Sequence, residues 1–272
     1  MRLSAAIGRM EGPTLLRDVR LNGIVDALRD GRVRSTAELA LQFGVSEMTL
    51  RRDLDHLGRR GLVRRVHGGA RAAAGADPGY HRRAEENAAA KHRVGQAAAQ
   101  LVTPGSCVYL DAGTTAREVG RAIAERARAE GLTARIVTHA VNIGAELAGI
   151  VGLSVHQLGG EVDPGTLAAT GPALVTELRG LNFDLYFMGV TGIDPERGMT
   201  NSTPVGLEVK RAAMSRARET WVVADVSKWR QVSAYYIASM DAITGLVTDA
   251  AQNSRPHLEI ERASLKLKVL SS

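Results

Sequence analysis

Residues 44–69 read GVSEMTLRRDLDHLGRRGLVRRVHGG. Gly44 can end one helix in the left-handed conformation that glycine adopts without steric cost, and Ser46 can cap the next. Leu50, Leu54 and Leu57 recur at i, i+4 and i+7, the stripe of a single buried helix face. Gly61 stops that helix. Leu62, Val63 and Val66 then mark a short hairpin that carries Arg64, Arg65 and His67 outward. Six arginines lie in the stretch: Arg51, Arg52, Arg59, Arg60, Arg64 and Arg65. A short helix offered to a groove, followed by a basic wing, is how a small domain grips duplex DNA. The first turn of such a helix faces base edges, which assigns Ser46, Glu47, Thr49, Arg51 and Arg52 to the nucleic-acid face, with Arg64, Arg65 and His67 on the wing. Arginine brings a planar fork suited to guanine or phosphate. Arg51 has an alternative partner in Asp55 at i+4. Arg59 and Arg60 read as solvated charges that add at most phosphate contacts.

Upstream, Leu21, Ile24, Val25 and Leu28 give a first amphipathic helix, stopped by Asp30-Gly31. Ser35 and Glu38 have the spacing of a capping box, so a second helix starts near Thr36 and buries Leu39, Ala40 and Phe43. Charge follows the same division. Residues 1–71 hold 14 Arg, no Lys and 8 acidic residues, an excess of six positive charges, and the rest of the chain is balanced. That asymmetry implies a polyanion partner for one end only. With 44% hydrophobic and 24% charged residues, the 272-residue chain can bury a sizeable core and is not a disordered polyelectrolyte. The single cysteine, Cys107, sits in the apolar run SCVYL, excludes an intramolecular disulfide framework and reads as a core residue. No apolar run is long enough to span a bilayer and the start lacks a leader-like apolar segment, so cytoplasm is the expected location. Residues 1–14 read as a loose extension.

Residues 71–83 lack periodicity and read as a linker. From residue 84 the pattern alternates between helix and strand. Helices are expected at 86–102, 115–129, from 141, at 171–179 and at 204–217, the last opened by Thr203 as cap and Pro204 at its first position. Strands are expected at 107–110, 135–138, 153–158, 183–189, 220–225 and 243–248. Buried strands separated by helices imply a mostly parallel, doubly wound α/β sheet, extending over residues 84–252, with 253–272 as a tail. In such a sheet, ligands bind beyond the carboxyl ends of the strands. There the chain places Asp111, Gly113, Thr114 and Thr115 ahead of a helix, a plausible phosphate cradle or simply a capped tight turn. Gly159 and Gly160, Thr200, Glu208 with Lys210, and Asp225 with Lys228 occupy other loops or helix starts of the same kind. Glu208 and Lys210 do not face each other on a helix. His139 and His156 are scattered, with no metal-ligand spacing.

The segment GRVRSTAELALQFGVSEMTLRRDLDHLGRRGLVRRVHGGA resembles the N-terminal winged helix-turn-helix (residues 15–70) of DeoR-family transcriptional regulators. AAAQLVTPGSCVYLDAGTTAREV, Gly159-Gly160, FDLYFMGVTGID and GMTNSTPVGLEVKRAAMSRARETWVVADVSKW resemble that family's sensor domain, whose fold is similar to ribose-5-phosphate isomerase. The resemblance implies a repressor of a sugar or nucleoside catabolic operon. Its partners are then double-stranded operator DNA and a phosphorylated sugar-like effector, with no cofactor and no catalytic residue, in a homodimer or higher homo-oligomer. It places Asp111, Gly113, Thr114 and Thr115 at the phosphate and Glu208, Lys210 and Lys228 at the sugar end. The chain departs from the family at His139, where Asn is common, and at Asp163, where Arg is frequent. A cation lost and an anion gained imply an effector that is less acidic or differently oriented. Two other readings compete. One is an isomerase using Glu208 and Lys228 as base and acid. The other is a DNA-packaging protein, which the large neutral C-terminal part disfavours.

Overall fold

The computed structural model describes residues 17–28, 33–59, 62–66, 68–72, 79–163, 165–263 and 268–271. His67, residues 1–14, Asp30-Gly31 and Gly61 lie outside them. The chain divides into two compact units, Met1–Ala76 and Asp77–Ser272.

The first unit contains α1 (Arg17–Ala27), β1 (Arg34–Ser35), α2 (Thr36–Phe43), α3 (Glu47–Arg59), β2 (Val63–Val66) and β3 (Gly69–Ala72). Ser35 caps α2 in a full capping box: the Glu38 amide donates to Ser35 Oγ at 3.1 Å, and the Ser35 amide donates back to Glu38 at 2.9 Å. Gly44 ends α2 in the left-handed region. Leu21, Ile24, Leu28, Leu39, Leu50, Leu54, Leu57 and Val63 form one buried core. Beside it lies an ion pair with no sequence signature: Arg20 on α1 donates to Asp53 on α3 at 2.7 Å, both buried. The three strands pair antiparallel in the order β1-β3-β2. Gly68 turns the hairpin at φ 75°. Gly69 pairs with Ser35, and any Cβ on it would stand 2.1 Å from the Arg34 carbonyl oxygen.

The second unit opens with α4 (Tyr80–Glu85) and α5 (Ala88–Ala99), followed by β4 (Ser106–Leu110), α6 (Thr114–Glu130), β5 (Ala134–Thr138), α7 (Val141–Leu147) and β6 (Leu153–Gln157). Next come β7 (Glu161–Asp163), β8 (Ala168–Thr170), α8 (Pro172–Arg179), β9 (Phe183–Met188), β10 (Gly192–Asp194) and β11 (Gly198–Asn201). The unit is completed by α9 (Leu207–Met214), β12 (Ala217–Val223), β13 (Tyr235–Ala238), β14 (Gly245–Thr248), α10 (Arg255–Ala263) and β15 (Lys268–Ser271). Seven strands form a sheet in the order β15-β14-β12-β9-β4-β5-β6, and every pairing in it is parallel.

Alternate residues of each strand serve opposite faces, as the two-residue period requires. Val108, Leu110, Ile136, Leu185, Phe187, Trp221, Val223 and Val247 pack in one core with residues of α5, α6 and α7. Tyr109, Val137, Tyr186, Met188, Val222 and Leu246 pack in the other with residues of α8, α9 and α10. Helices therefore cover both faces, as a doubly wound sheet demands.

Four details differ from expectation. Arg71 and Ala72 belong to β3 and residues 80–83 to α4, so regular structure enters the stretch expected as linker. Residues 255–263 and 268–271, expected as tail, form a helix and an edge strand paired with β14. Small antiparallel sheets, β10-β11-β13 and β7-β8, supplement the main sheet. Finally, α9 starts at Leu207 after a left-handed Gly206, not at Pro204, whose carbonyl instead accepts the Leu207 amide at 3.2 Å in a turn.

Gly69→Ala forces β1 away from β3 and should destabilise the first unit by about 1–3 kcal/mol. Hydrogen exchange of the β2–β3 amides is then expected to accelerate while α6 amides stay protected.

Candidate functional site

The first unit presents α3 with its polar first turn outward. The Thr49 amide donates to Ser46 Oγ at 3.2 Å, and the two hydroxyls lie 3.0 Å apart. Arg51 donates to Glu47 at 3.1 Å, and Asp55 is engaged by Arg65 of the wing at 2.6 Å. Arg65 also donates to the Arg51 carbonyl at 3.4 Å, which ties β2 to α3. Arg52 and Arg64 are exposed. Of these arginines, Arg51 and Arg65 are held by Glu47 and Asp55, carboxylates that a phosphate could replace.

In the second unit the strand order reverses between β4 and β9. β5 and β6 extend one side and β9, β12 and β14 the other. Loops diverge at such a switch point and leave a crevice beyond the strand ends. Asp111, the residue after β4, fills this point and is 1% exposed. Its Oδ1 accepts the Ala112 amide at 2.9 Å and its Oδ2 accepts the Gly189 amide at 3.0 Å, just after β9. Lys210, from α9 and 6% exposed, donates to Asp111 Oδ2 and to the Gly189 carbonyl, the latter at 2.8 Å. His139, the residue after β5, places Nε2 3.9 Å from Asp111 Oδ1. Burial, opposed by Asp111 and assisted by Lys210, lowers the His139 pKa from 6.5 to about 4. The ring is therefore neutral at physiological pH. Its Nδ1 lies 2.7 Å from the Tyr109 hydroxyl, whose own pKa burial pushes well above 10. That hydroxyl keeps its proton and can donate it to Nδ1, leaving Nε2–H directed at the carboxylate side.

Gly113 has φ 137° and precedes α6, a 17-residue helix whose N-cap makes no side-chain hydrogen bond. Thr114 is buried and Thr115 half-buried in its first turn. A helix start without a side-chain cap offers first-turn amides and the positive end of its dipole, the features that attract anions in general. The structure therefore gathers Asp111, Gly113, Thr114, Thr115, His139 and Lys210 around the carboxyl ends of β4, β5 and β9.

Other expected site residues are placed differently. Thr200 is buried, but its hydroxyl accepts the Ser233 amide at 2.9 Å and donates to Gly192 at 3.4 Å, which knits the small antiparallel sheet. Gly160 is explained by strand pairing: a Cβ there would lie 2.3 Å from the Thr170 carbonyl oxygen. Gly159 is exposed in open space. Glu208 is exposed, while Lys210 two positions on is buried. Lys228 is half-buried in a 3-10 turn capped by Asp225. Asp163 binds its own loop, accepting from Gly165 and Thr166.

The sequence also left several polar contacts of the second unit unmarked. Asn142 on α7 donates to the Tyr80 hydroxyl on α4 at 2.7 Å. Arg83 reaches the Gly165 carbonyl at 3.4 Å. Lys91 donates to the Arg83 and Glu86 carbonyls, and burial lowers its pKa. Asn87 donates to Asp225 at 3.1 Å, while Asp225 Oδ2 is buried with no donor among the described residues. The Asn142, Arg83 and Asn87 contacts span 62, 82 and 138 residues, separations that sequence spacing does not announce. Among the described residues, no group of three or more His, Cys, Asp or Glu could hold a metal ion, and no helix is long and apolar enough to cross a membrane.

Residues 86–250 match the DeoR C terminal sensor domain and residues 20–74 the DeoR-like helix-turn-helix domain. This chain belongs to the DeoR family. The HTH-type transcriptional regulator GlpR of Haloferax volcanii is 31% identical, with 90% of this chain and 95% of that protein covered. The transcriptional repressor AccR of Agrobacterium fabrum is 34% identical, with 84% and 87% covered. Among solved structures, ribose 5-phosphate isomerase A from Methanocaldococcus jannaschii is similar at a TM-score of 0.40 and 20% identity, over 53% of this chain and 55% of that one. The DeoR-family chain is a DNA-binding transcriptional regulator with an effector-sensing domain, not an isomerase.

Between pH 6.5 and about 4 an unfolded His139 takes up a proton that the folded protein refuses. Its contribution to stability is therefore complete above pH 6.5 and falls as the pH drops. In this DeoR-family protein, lowering the pH from 7 to 5 should cost the wild type about 2 kcal/mol more than His139→Asn, read from urea unfolding midpoints at the two pH values.

Proposed function

We propose that this protein is a cytoplasmic repressor of a sugar or related catabolic operon, acting as a homodimer or higher homo-oligomer. A phosphorylated sugar-like metabolite bound to the second unit would control it. The observation that carries this reading is the convergence of Asp111, His139 and Lys210 at the strand-order reversal, beside the uncapped start of α6. Gly113, Thr114 and Thr115 hold the phosphate through first-turn amides and hydroxyls. Asp111 holds Lys210 beside that end, Glu208 and Lys228 would approach the hydroxylated end from their own elements, and neutral His139 donates one hydrogen bond. Gly159, Gly160 and Thr200 shape surrounding loops. Ser46, Glu47, Thr49, Arg51, Arg52, Arg64, Arg65 and His67 form the DNA face, and paired copies on a repeated site gain effective concentration.

Control requires that the effector bind the DNA-competent and incompetent states unequally. The anchors of α4 suit this role. Tyr80 rests on Asn142, close in sequence to His139, and Arg83 on the loop between β7 and β8. An effector that pulls on either element disturbs the first helix of the sensor unit.

The test uses duplexes selected by the purified protein, with binding read by fluorescence anisotropy. Arg51→Ala combined with Arg52→Ala should abolish sequence-specific binding. A panel of phosphorylated sugars and polyols should contain a compound that raises the melting temperature and changes DNA affinity about 5- to 150-fold. Thr114→Ala should lose both responses while keeping DNA binding. Turnover of a sugar phosphate, or a response unaltered in Thr114→Ala, would sink the effector assignment.

A further inference from the structure

The basic face of α3 has an apolar centre. Met48 is 66% exposed in the first turn of the helix, between Glu47 and Thr49. The buried positions of α3 are Leu50, Asp53, Leu54 and Leu57. At about 100° per residue their mean direction lies about 170° from Met48. Met48 therefore projects from the middle of the outward face, flanked by Arg51 and Arg52 at i+3 and i+4. Its neighbours have polar partners within the protein: Glu47 with Arg51 at 3.1 Å, and Thr49 with Ser46 at 3.0 Å. Met48 has no polar atom of comparable strength and gains nothing from water.

We propose that Met48 is a specificity-determining residue that reads the 5-methyl group of a thymine in the major groove. Thymine is the base that presents a methyl group there, and apolar side chains recognise it by contact. Methionine is unbranched and polarizable, so it can follow the shape of the groove floor. The adjacent arginines bring the helix to the phosphates or guanine edges, which presses this side chain against the bases. The contact deepens the reading of α3 as the groove-entering helix and rests on it. Leu41 provides an internal comparison: it is 86% exposed but lies on α2, not on α3.

The experiment takes a duplex selected by the full chain and replaces each thymine in turn by uracil, which removes the methyl group alone. At one position of the bound site, wild-type affinity should fall roughly three- to five-fold, the worth of one buried methyl group. Met48→Ala should bind the thymine duplex more weakly by a similar factor and should not distinguish thymine from uracil at that position. Leu41→Ala should discriminate as the wild type does. A wild type insensitive to uracil at every position, or a Met48→Ala protein that keeps full discrimination, would overturn the methyl contact. Sequence-specific binding retained by Arg51→Ala with Arg52→Ala would overturn the reading of α3 beneath it.

Discussion

A carboxylate stripped of water must be given donors, and Asp111 is where this fold meets that demand. Two backbone amides and the Lys210 ammonium surround it. These donors come from the loops after β4 and β9 and from α9, so one buried charge fixes three elements that are distant in sequence. A buried ion pair adds little net stability over well-packed apolar groups of the same shape. Its effect is positional: it ties the loops after β4 and β9 to α9 at the strand-order reversal and sets the Lys210 ammonium beside Asp111, in the loop that leads into α6. His139 stands beside the same carboxylate, its ring held by the Tyr109 hydroxyl at 2.7 Å while burial keeps it neutral.

Much of this was legible locally. The capping box at Ser35, the left-handed Gly44, the leucine stripe of α3 and the six main strands from β4 to β14 all follow from residues a few positions apart. Asp111, Gly113 and Thr114 stood out as a polar, glycine-containing loop between an apolar strand and a helix, a pattern that a capped tight turn shares with a phosphate cradle. What escaped depends on partners far along the chain. Arg20 and Asp53 look like ordinary helix-surface charges until α1 packs on α3. Asp55 is taken by Arg65 of the wing, a choice that helix periodicity alone could not make. The strands β7, β8, β10 and β11 have three or four residues each, too few for an alternation to register. Gly160 suggested ligand approach, whereas the carbonyl it accommodates belongs to the protein itself.

The two functional surfaces use charge in opposite ways. On α3 and the wing, ion pairs are exposed and screened, and each contributes little to folding. Their arginines can exchange a carboxylate for a phosphate with small loss. In the sensor unit, Lys210 and Asp111 are sealed from water, so any new anion must compete with a partner already in place. The first arrangement favours rapid, salt-sensitive association, and the second favours selectivity.

The strand order carries a further consequence. β4 is the first strand of the main sheet in sequence and lies within it. β5 and β6 follow on one flank, then β9, β12, β14 and β15 on the other, each beside a strand made earlier. During synthesis every emerging strand finds its neighbour already present, and no segment has to be threaded between two others. The sheet can grow outward from a seed, leaving only its advancing edges open to wrong partners.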